Sequence, residues 1–123
     1  MSEIMIIDDT VSGRYIISAL LKEEGHEVIE AVDGKDALEK INPSVKMIIT
    51  DLNMPRMDGL ELVKILRENP DYKAIPVIMV SSESDEGIKA EGRVACVTEW
   101  IDKPVTGRKV IEVVKRFLTK SYA

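Results

Sequence analysis

The chain has 123 residues, of which 45% are hydrophobic and 32% are charged, and its net charge is -5. This length suits one domain, and the composition is typical of a globular protein that buries its own core. The acidic balance argues against a nucleic-acid surface, so we expect no direct binding of nucleic acid. No apolar run approaches the ~20 residues of a membrane span and no signal peptide precedes the first strand, so we expect a cytoplasmic protein without membrane insertion. Cys96 is the single cysteine, and we expect it to be a small buried residue.

Short apolar runs alternate with amphipathic stretches along the chain. The apolar runs predict five strands, at residues 3–7, 28–31, 47–51, 76–80 and 95–101. Five helices are predicted at residues 10–25, 35–41, 60–68, 84–94 and 107–120. Regular alternation of strands and helices predicts an α/β fold, a single doubly wound parallel sheet with helices on both faces.

Two of these helices carry more specific expectations. The first helix has Thr10 or Ser12 as its N-cap, and its apolar stripe from Ile16 to Leu21 is expected to cover the sheet. The fourth helix is expected to be short or frayed, because Gly87 and Gly92 each disfavour helix by roughly 1 kcal/mol.

Polar residues follow four of the five predicted strands. Asp8 and Asp9 follow the first strand, Asp51 ends the third, Ser81 ends the fourth and Lys103 follows the fifth. Because the carboxyl ends of parallel strands meet at one edge of a sheet, we expect these side chains to converge there. Three acids, a hydroxyl and a lysine at one edge are a stronger indication of a site than any of them alone.

The composition of this cluster indicates a metal-assisted phosphoryl site. Packed carboxylates repel one another and require a counter-charge, and all-oxygen donors favour Mg²⁺, with Mn²⁺ as an alternative. Histidine and cysteine do not occur in the cluster, which disfavours zinc. With the ammonium of Lys103 and the hydroxyl of Ser81, the cluster could receive a phosphoryl group, and one carboxylate could be the nucleophile.

At these residues the sequence resembles the receiver domains of two-component response regulators, including the stand-alone chemotaxis regulators. The resemblance covers nearly the whole chain as a single receiver domain, residues 1–123, without an output domain. The matching motifs are the pair Asp8-Asp9, Asp51 with the following Met54-Pro55 and Met57-Asp58-Gly59, the Ser81 hydroxyl and Lys103-Pro104. The resemblance implies a flavodoxin-like fold with strand order 2-1-3-4-5, which is the known strand order of that fold class.

The resemblance also implies roles for individual residues. Asp51 would be the phosphoacceptor, and Asp9, Asp51 and the backbone carbonyl of Asn53 would bind Mg²⁺. Asp8 would act mostly through a metal-bound water. Lys103 would pair first with the acceptor and then with its phosphoryl oxygens. The bond between Lys103 and Pro104 is expected to be cis.

A second set of residues is implied to read out and limit the phosphoryl state. Ser81 would move toward the phosphoryl group and free space for the aromatic residue three positions before the lysine, here Trp100 in place of the more usual tyrosine or phenylalanine. Asn53 and Glu83 stand two residues after Asp51 and Ser81, where the family controls water access, and they predict a short-lived phosphoryl state.

The function expected from these residues is a signalling switch and not an enzyme acting on a separate substrate. A sensor histidine kinase or a histidine phosphotransfer protein would donate its phosphoryl group to Asp51, and the expected monomer would signal by protein contact. Two alternatives remain open: a Mg²⁺-dependent phosphatase working through an aspartyl phosphate, and a receiver-like module that only binds protein. The cognate kinase and the downstream target are not indicated by the sequence.

Overall fold

The computed structural model describes residues 3–82 and 86–120. For residues 119 and 120 only the backbone is described. The strands are Glu3–Ile7 (β1), Glu27–Ala31 (β2), Val45–Asp51 (β3), Val77–Ser81 (β4) and Glu99–Asp102 (β5). The helices are Val11–Glu23 (α1), Gly34–Lys40 (α2), Gly59–Glu68 (α3), Glu86–Val94 (α4) and Gly107–Lys120 (α5). All strands are parallel, in the order β2-β1-β3-β4-β5, which confirms the predicted fold class.

The sheet is covered on both faces, and this explains why its strands are continuous apolar runs. Successive side chains of a strand point to opposite faces, so each central strand supplies two apolar layers. One layer packs under α2, α3 and α4 and includes Met5, Ile48 and Met79. The other packs under α1 and α5 and includes Ile6, Ile49 and Ile78.

The helix ends follow local capping chemistry. Thr10 is the N-cap of α1, with its hydroxyl accepting from the Gly13 N–H at 3.3 Å, and this resolves the choice between Thr10 and Ser12. Asp58 and Glu61 form a reciprocal capping box at the start of α3, which directly follows the turn after β3. These caps mark where α1 begins after β1 and where α3 begins after β3.

One expectation for α1 is wrong. The apolar pattern places Ile16 on the stripe that covers the sheet, but its side chain is 66% exposed. Leu21 is fully buried, whereas Ile17 and Leu20 pack at the margin of the core. The buried face of α1 is therefore narrower than the apolar pattern indicates, and the helix leaves apolar side chains exposed near its N-terminus.

The predicted fifth strand is also too long, since β5 begins at Glu99 and not at Ala95. Residues 95–97 instead close α4: Cys96 has φ of 67°, and the Val97 N–H donates to the Gly92 carbonyl at 2.9 Å. Cys96 is exposed and not buried as expected, because it occupies this left-handed turn. Helix α4 itself forms and is short, with nine residues from Glu86 to Val94.

Within the described ranges 3–82 and 86–120, no helix has both the length and the apolar character needed to cross a membrane.

Candidate functional site

The carboxyl ends of four strands lie side by side at one edge of the sheet. Ile7 pairs with Thr50, Asp51 with Val80, and Ser81 with Asp102 in the parallel register. Asp8 and Asp9 follow β1, and Lys103 follows β5, so the register brings these polar residues to the same edge. The convergence expected from the sequence is therefore present.

Asp51 is the central carboxylate of this edge. It is the last residue of β3, and it is only 7% exposed. The Lys103 Nζ lies 3.0 Å from its Oδ1, and the lysine side chain remains 42% exposed. The Leu52 N–H donates to the Val80 carbonyl at 3.1 Å, which ties the backbone after Asp51 into the sheet. The carboxylate is thus held in position beside one cation.

The acidic pair after β1 lies next to Asp51. Asp8, Asp9 and Asp51 each place one carboxylate oxygen within 4.8 Å of an oxygen of the other two residues. Asp8 is buried, and its Oδ1 accepts both the Thr10 N–H and the Thr10 hydroxyl at 2.7 Å. The Arg14 guanidinium donates to the Asp8 carbonyl at 2.6 Å. The start of α1 therefore orients Asp8.

The electrostatics of Asp51 follow from this packing. The pKa of Asp51 is raised to about 6, chiefly by burial; the hydrogen bond from Lys103 opposes the rise, and the negative charge of Asp8 adds to it. Desolvation and a neighbouring carboxylate both disfavour the ionised form, and a single half-exposed ammonium does not offset them. Burial and the neighbouring acid therefore outweigh the Lys103 ammonium in setting the pKa of Asp51.

The donor set fits a hard divalent cation. Three carboxylates that converge within 4.8 Å supply oxygen ligands only, which suits Mg²⁺ far better than zinc. A cation bound among them would relieve the repulsion that contributes to the raised pKa of Asp51. The residues present therefore fit the metal that the sequence indicated.

In the described part of the chain, Asp51 lines a small cavity and a larger groove. The small cavity of about 120 Å³ is lined by Asp51, Asn53, Ser81, Ser82 and Lys103 among others. The larger groove of about 530 Å³ runs from Asp8 and Asp51 toward Ile16, Pro104 and Val105. The Asp51 carboxylate is thus reachable from outside although it is largely buried.

The remaining predicted residues lie around this edge. Ser81 is buried at the end of β4, and Asn53 is exposed just after β3. Trp100 is half-buried on β5 and packs against the apolar layer below α4. The Lys103-Pro104 peptide bond is cis, the geometry that the sequence resemblance implied. Glu83 lies outside the described residues.

Sequence reasoning missed an ion pair close to the site. The buried carboxylate of Asp33, before α2, accepts from the Arg56 guanidinium at 2.7 and 3.1 Å. In the sequence, Asp33 lies just before the predicted second helix, and Arg56 follows Pro55 between the predicted third strand and third helix. Nothing in either local pattern connects two residues 23 positions apart.

Sequence comparison identifies related proteins along nearly the whole chain. The sequence profile described as the response regulator receiver domain matches residues 4–115. Protein PilG of Pseudomonas aeruginosa is 36% identical over 114 residues, which cover 92% of this chain and 84% of that protein. Chemotaxis protein CheY1 of Helicobacter pylori is 39% identical over 107 residues, covering 85% of this chain and 86% of the relative.

Solved structures share the fold. The chemotaxis response regulator CheY4 of Vibrio cholerae superposes with a TM-score of 0.87 at 34% identity, covering 95% of this chain and 98% of that one. A CheY-like receiver domain protein of Methanospirillum hungatei superposes with a TM-score of 0.90 at 26% identity, covering 98% and 95%. Since the family profile spans most of the chain and relatives above 30% identity match along it, the chain belongs to the response regulator receiver domain family.

Proposed function

We propose that this protein is a phosphorylation-activated switch in which Asp51 accepts a phosphoryl group, with the whole chain acting as one receiver domain. The observation that carries the proposal is the position of Asp51. Its carboxylate lies 3.0 Å from the Lys103 ammonium, beside two further acids, at the opening of a small polar cavity. A nucleophile, a cation and a space for a phosphoryl group therefore occur together.

Asp8, Asp9 and Asp51, with the backbone carbonyl of Asn53, would hold Mg²⁺, and Mn²⁺ is the alternative ion. When bound, the ion supplies positive charge that neutralises phosphoryl oxygens in the transition state. The support is the donor set: three converging carboxylates and a central acid whose pKa is raised to about 6. The assignment of Asp8 to a water-mediated role rests on the family resemblance.

The phosphoryl donor is a phosphohistidine on a sensor histidine kinase or a phosphotransfer protein. Asp51 attacks the phosphorus in line, the P–N bond breaks, and the imidazole leaves with the electron pair. No general base is required, because Asp51 attacks as a carboxylate. Lys103 neutralises the negative charge that develops on the phosphoryl oxygens beside it. The protein therefore contributes a positive charge and a fixed geometry, and the product of the reaction is an aspartyl phosphate.

Exposed apolar side chains on α1 support the proposal that such a partner binds beside the groove. Val11, Tyr15 and Ile16 on α1 are 74%, 71% and 66% exposed, and Ile16 lines the groove that reaches Asp51. Exposed apolar side chains grouped beside a polar site mark a protein contact. A partner that covers α1 could therefore present a histidine to Asp51.

Ser81 and Trp100 form the readout in this proposal. The phosphoryl group adds nearly two negative charges, and Ser81, at the end of β4, lines the same small cavity as Asp51. Its movement would release space for Trp100 and alter the surface formed by α4, β5 and α5, through which the signal passes to a target protein. Asn53 and Glu83 would limit the lifetime of the phosphoryl state.

The proposal is tested by intact mass after incubation with Mg²⁺ and phosphoramidate. We expect one added phosphoryl group that disappears in an Asp51→Asn variant and in excess EDTA. The phosphatase alternative is examined with a panel of phosphate esters, where turnover would support an enzyme. No adduct under any condition, including samples quenched rapidly enough to trap a short-lived phosphoryl state, would favour the protein-binding module and contradict the switch.

A further inference from the structure

The loop between β3 and α3 contains a turn that glycine would normally occupy. Arg56 has φ of 68°, in the left-handed region, and the Met57 N–H donates to the Pro55 carbonyl at 2.8 Å. This hydrogen bond spans three residues, the pattern of a γ-turn with Arg56 at its centre, a conformation that is rare and strained for an L-residue. Interactions outside the turn must therefore stabilise this backbone conformation.

The side chain of Arg56 supplies that support. Its guanidinium donates to both carboxylate oxygens of Asp33, Nε to Oδ2 at 2.7 Å and Nη2 to Oδ1 at 3.1 Å. The Asp33 side chain is only 4% exposed, and it also accepts the Asp36 N–H at 2.8 Å as the N-cap of α2. The hydrogen bond from Arg56 is the main reason that the pKa of Asp33 is lowered. A paired fork of this kind fixes direction as well as distance.

Two backbone hydrogen bonds also attach the loop to its surroundings. The Gly34 N–H donates to the Met57 carbonyl at 3.3 Å, and a Cβ on Gly34 would lie 2.8 Å from Met57 Cγ. The Gly59 N–H donates to the Leu52 carbonyl at 2.8 Å, which closes the loop against the end of β3. The loop of residues 53–58 is therefore attached to the end of β3 through Gly59 and to the start of α2 through Arg56 and Met57.

We propose that Arg56 is a positioning residue for the phosphoacceptor loop, acting through its ion pair with Asp33. The pair holds the strained turn, and the turn in turn orients the preceding residues, among them Asn53, beside Asp51. This inference rests on the proposed function, in which the Asn53 carbonyl binds Mg²⁺. A purely structural role is the contrasting explanation, since Asp33 can cap α2 without Arg56.

The test uses the full chain and the variants Arg56→Gln, Arg56→Lys, Asp33→Asn and the Gln/Asn double variant. Arg93→Gln, which removes an exposed arginine from α4, is the matched control. Titration calorimetry with MgCl₂ measures metal affinity, and amide hydrogen exchange in metal-free protein measures the opening of residues 53–58. Thermal unfolding reports on overall stability.

We expect Arg56→Gln to weaken Mg²⁺ binding by about tenfold and to speed exchange in residues 53–58, with little change in unfolding temperature. Asp33→Asn and the double variant should show the same loss, because both act through one pair. Arg56→Lys should recover part of the affinity, since it keeps the charge but not the fork. Arg93→Gln should match the wild type.

Unchanged exchange in residues 53–58 of the Arg56→Gln variant would overturn the inference, as would additive losses in the double variant. If the wild type itself fails to bind Mg²⁺, the proposed function fails, but the exchange measurement in metal-free protein still decides whether Arg56 holds the loop. The two failures are therefore distinguishable.

Discussion

The carboxylate of Asp51 is unfavourable for folding in the ionised form. Its pKa in the folded protein is raised to about 6 from the ordinary 3.8, mainly by burial. The folded state therefore binds this proton more tightly than the unfolded state, and stability falls as the pH rises through that window. Above the pKa of Asp51 in the folded state, the ionised carboxylate lowers the free energy of unfolding by its full amount.

An Asp51→Asn variant should remove this cost. Near neutral pH we expect its free energy of unfolding to exceed that of the wild type by about 1–3 kcal/mol. The difference should shrink as the pH falls from about 6 toward 3.8, because Asp51 then becomes neutral in both states. Urea denaturation across this pH range measures it. Asp71→Asn, at an exposed acid, is the control, and a difference that stays constant with pH would contradict the explanation.

Lys103 opposes the effect of burial on Asp51. It hydrogen-bonds the carboxylate and lowers its pKa, so a Lys103→Met variant should raise the pKa of Asp51 above about 6. The midpoint can be followed as the NMR titration of the Asp51 carboxyl carbon. Lys115→Met on the exposed side of α5 should leave the midpoint unchanged. A midpoint that does not rise in Lys103→Met would show that the ion pair has no influence on the acceptor.

At the scale of the elements, the side chain of Trp100 on β5 packs against α4. Trp100 lies against Gly92, where a Cβ would stand 2.8 Å from its Cζ3, and a cavity of about 190 Å³ lies beside it. Among the described residues, the buried Trp100 Nε1 has no hydrogen-bond partner. Within residues 3–82 and 86–120, packing that includes Gly92 therefore holds the indole, without a hydrogen bond to Nε1.

A Gly92→Ala variant tests whether this packing serves the proposed switch. The added methyl group should displace Trp100, shift its fluorescence toward that of an exposed indole, and reduce the fluorescence change caused by the phosphoryl analogue beryllofluoride. Gly87→Ala, at an exposed position of the same helix, is the control for the gain in helix propensity. An emission spectrum that does not respond to beryllofluoride in the wild type would refute Trp100 as a reporter of the switch.

At the scale of the molecule, stability comes from the two apolar layers on either side of the sheet. Ile48, on the central strand β3, is fully buried, whereas Ile65 on α3 is 41% exposed. Ile48→Ala should cost about 2–5 kcal/mol, because the cavity cannot collapse between two packed layers. Ile65→Ala should cost less than about 1 kcal/mol. Equal losses in urea denaturation would mean that the sheet interior is not the main source of stability.

Local sequence patterns were sufficient to predict the alternation of elements and the residues at the carboxyl edge of the sheet. Asp8, Asp51, Ser81 and Lys103 were predictable because each ends or follows a short apolar run, and both features are local. Parallel strands then require that their ends share an edge, so these patterns were enough to bring the residues together. The ends of the elements were less accurate, as at β5, because a helix-closing turn can use the same apolar residues as a strand.

Other features depend on contacts between distant segments and become visible only in the folded chain. The pairing of Asp33 with Arg56 joins residues 23 positions apart. The exposure of Ile16 and Cys96 depends on which side of a helix or turn meets the sheet. The raised pKa of Asp51 likewise requires burial beside Asp8. Burial and charge proximity are properties of packing in three dimensions, and hydrophobic periodicity along the chain does not specify them.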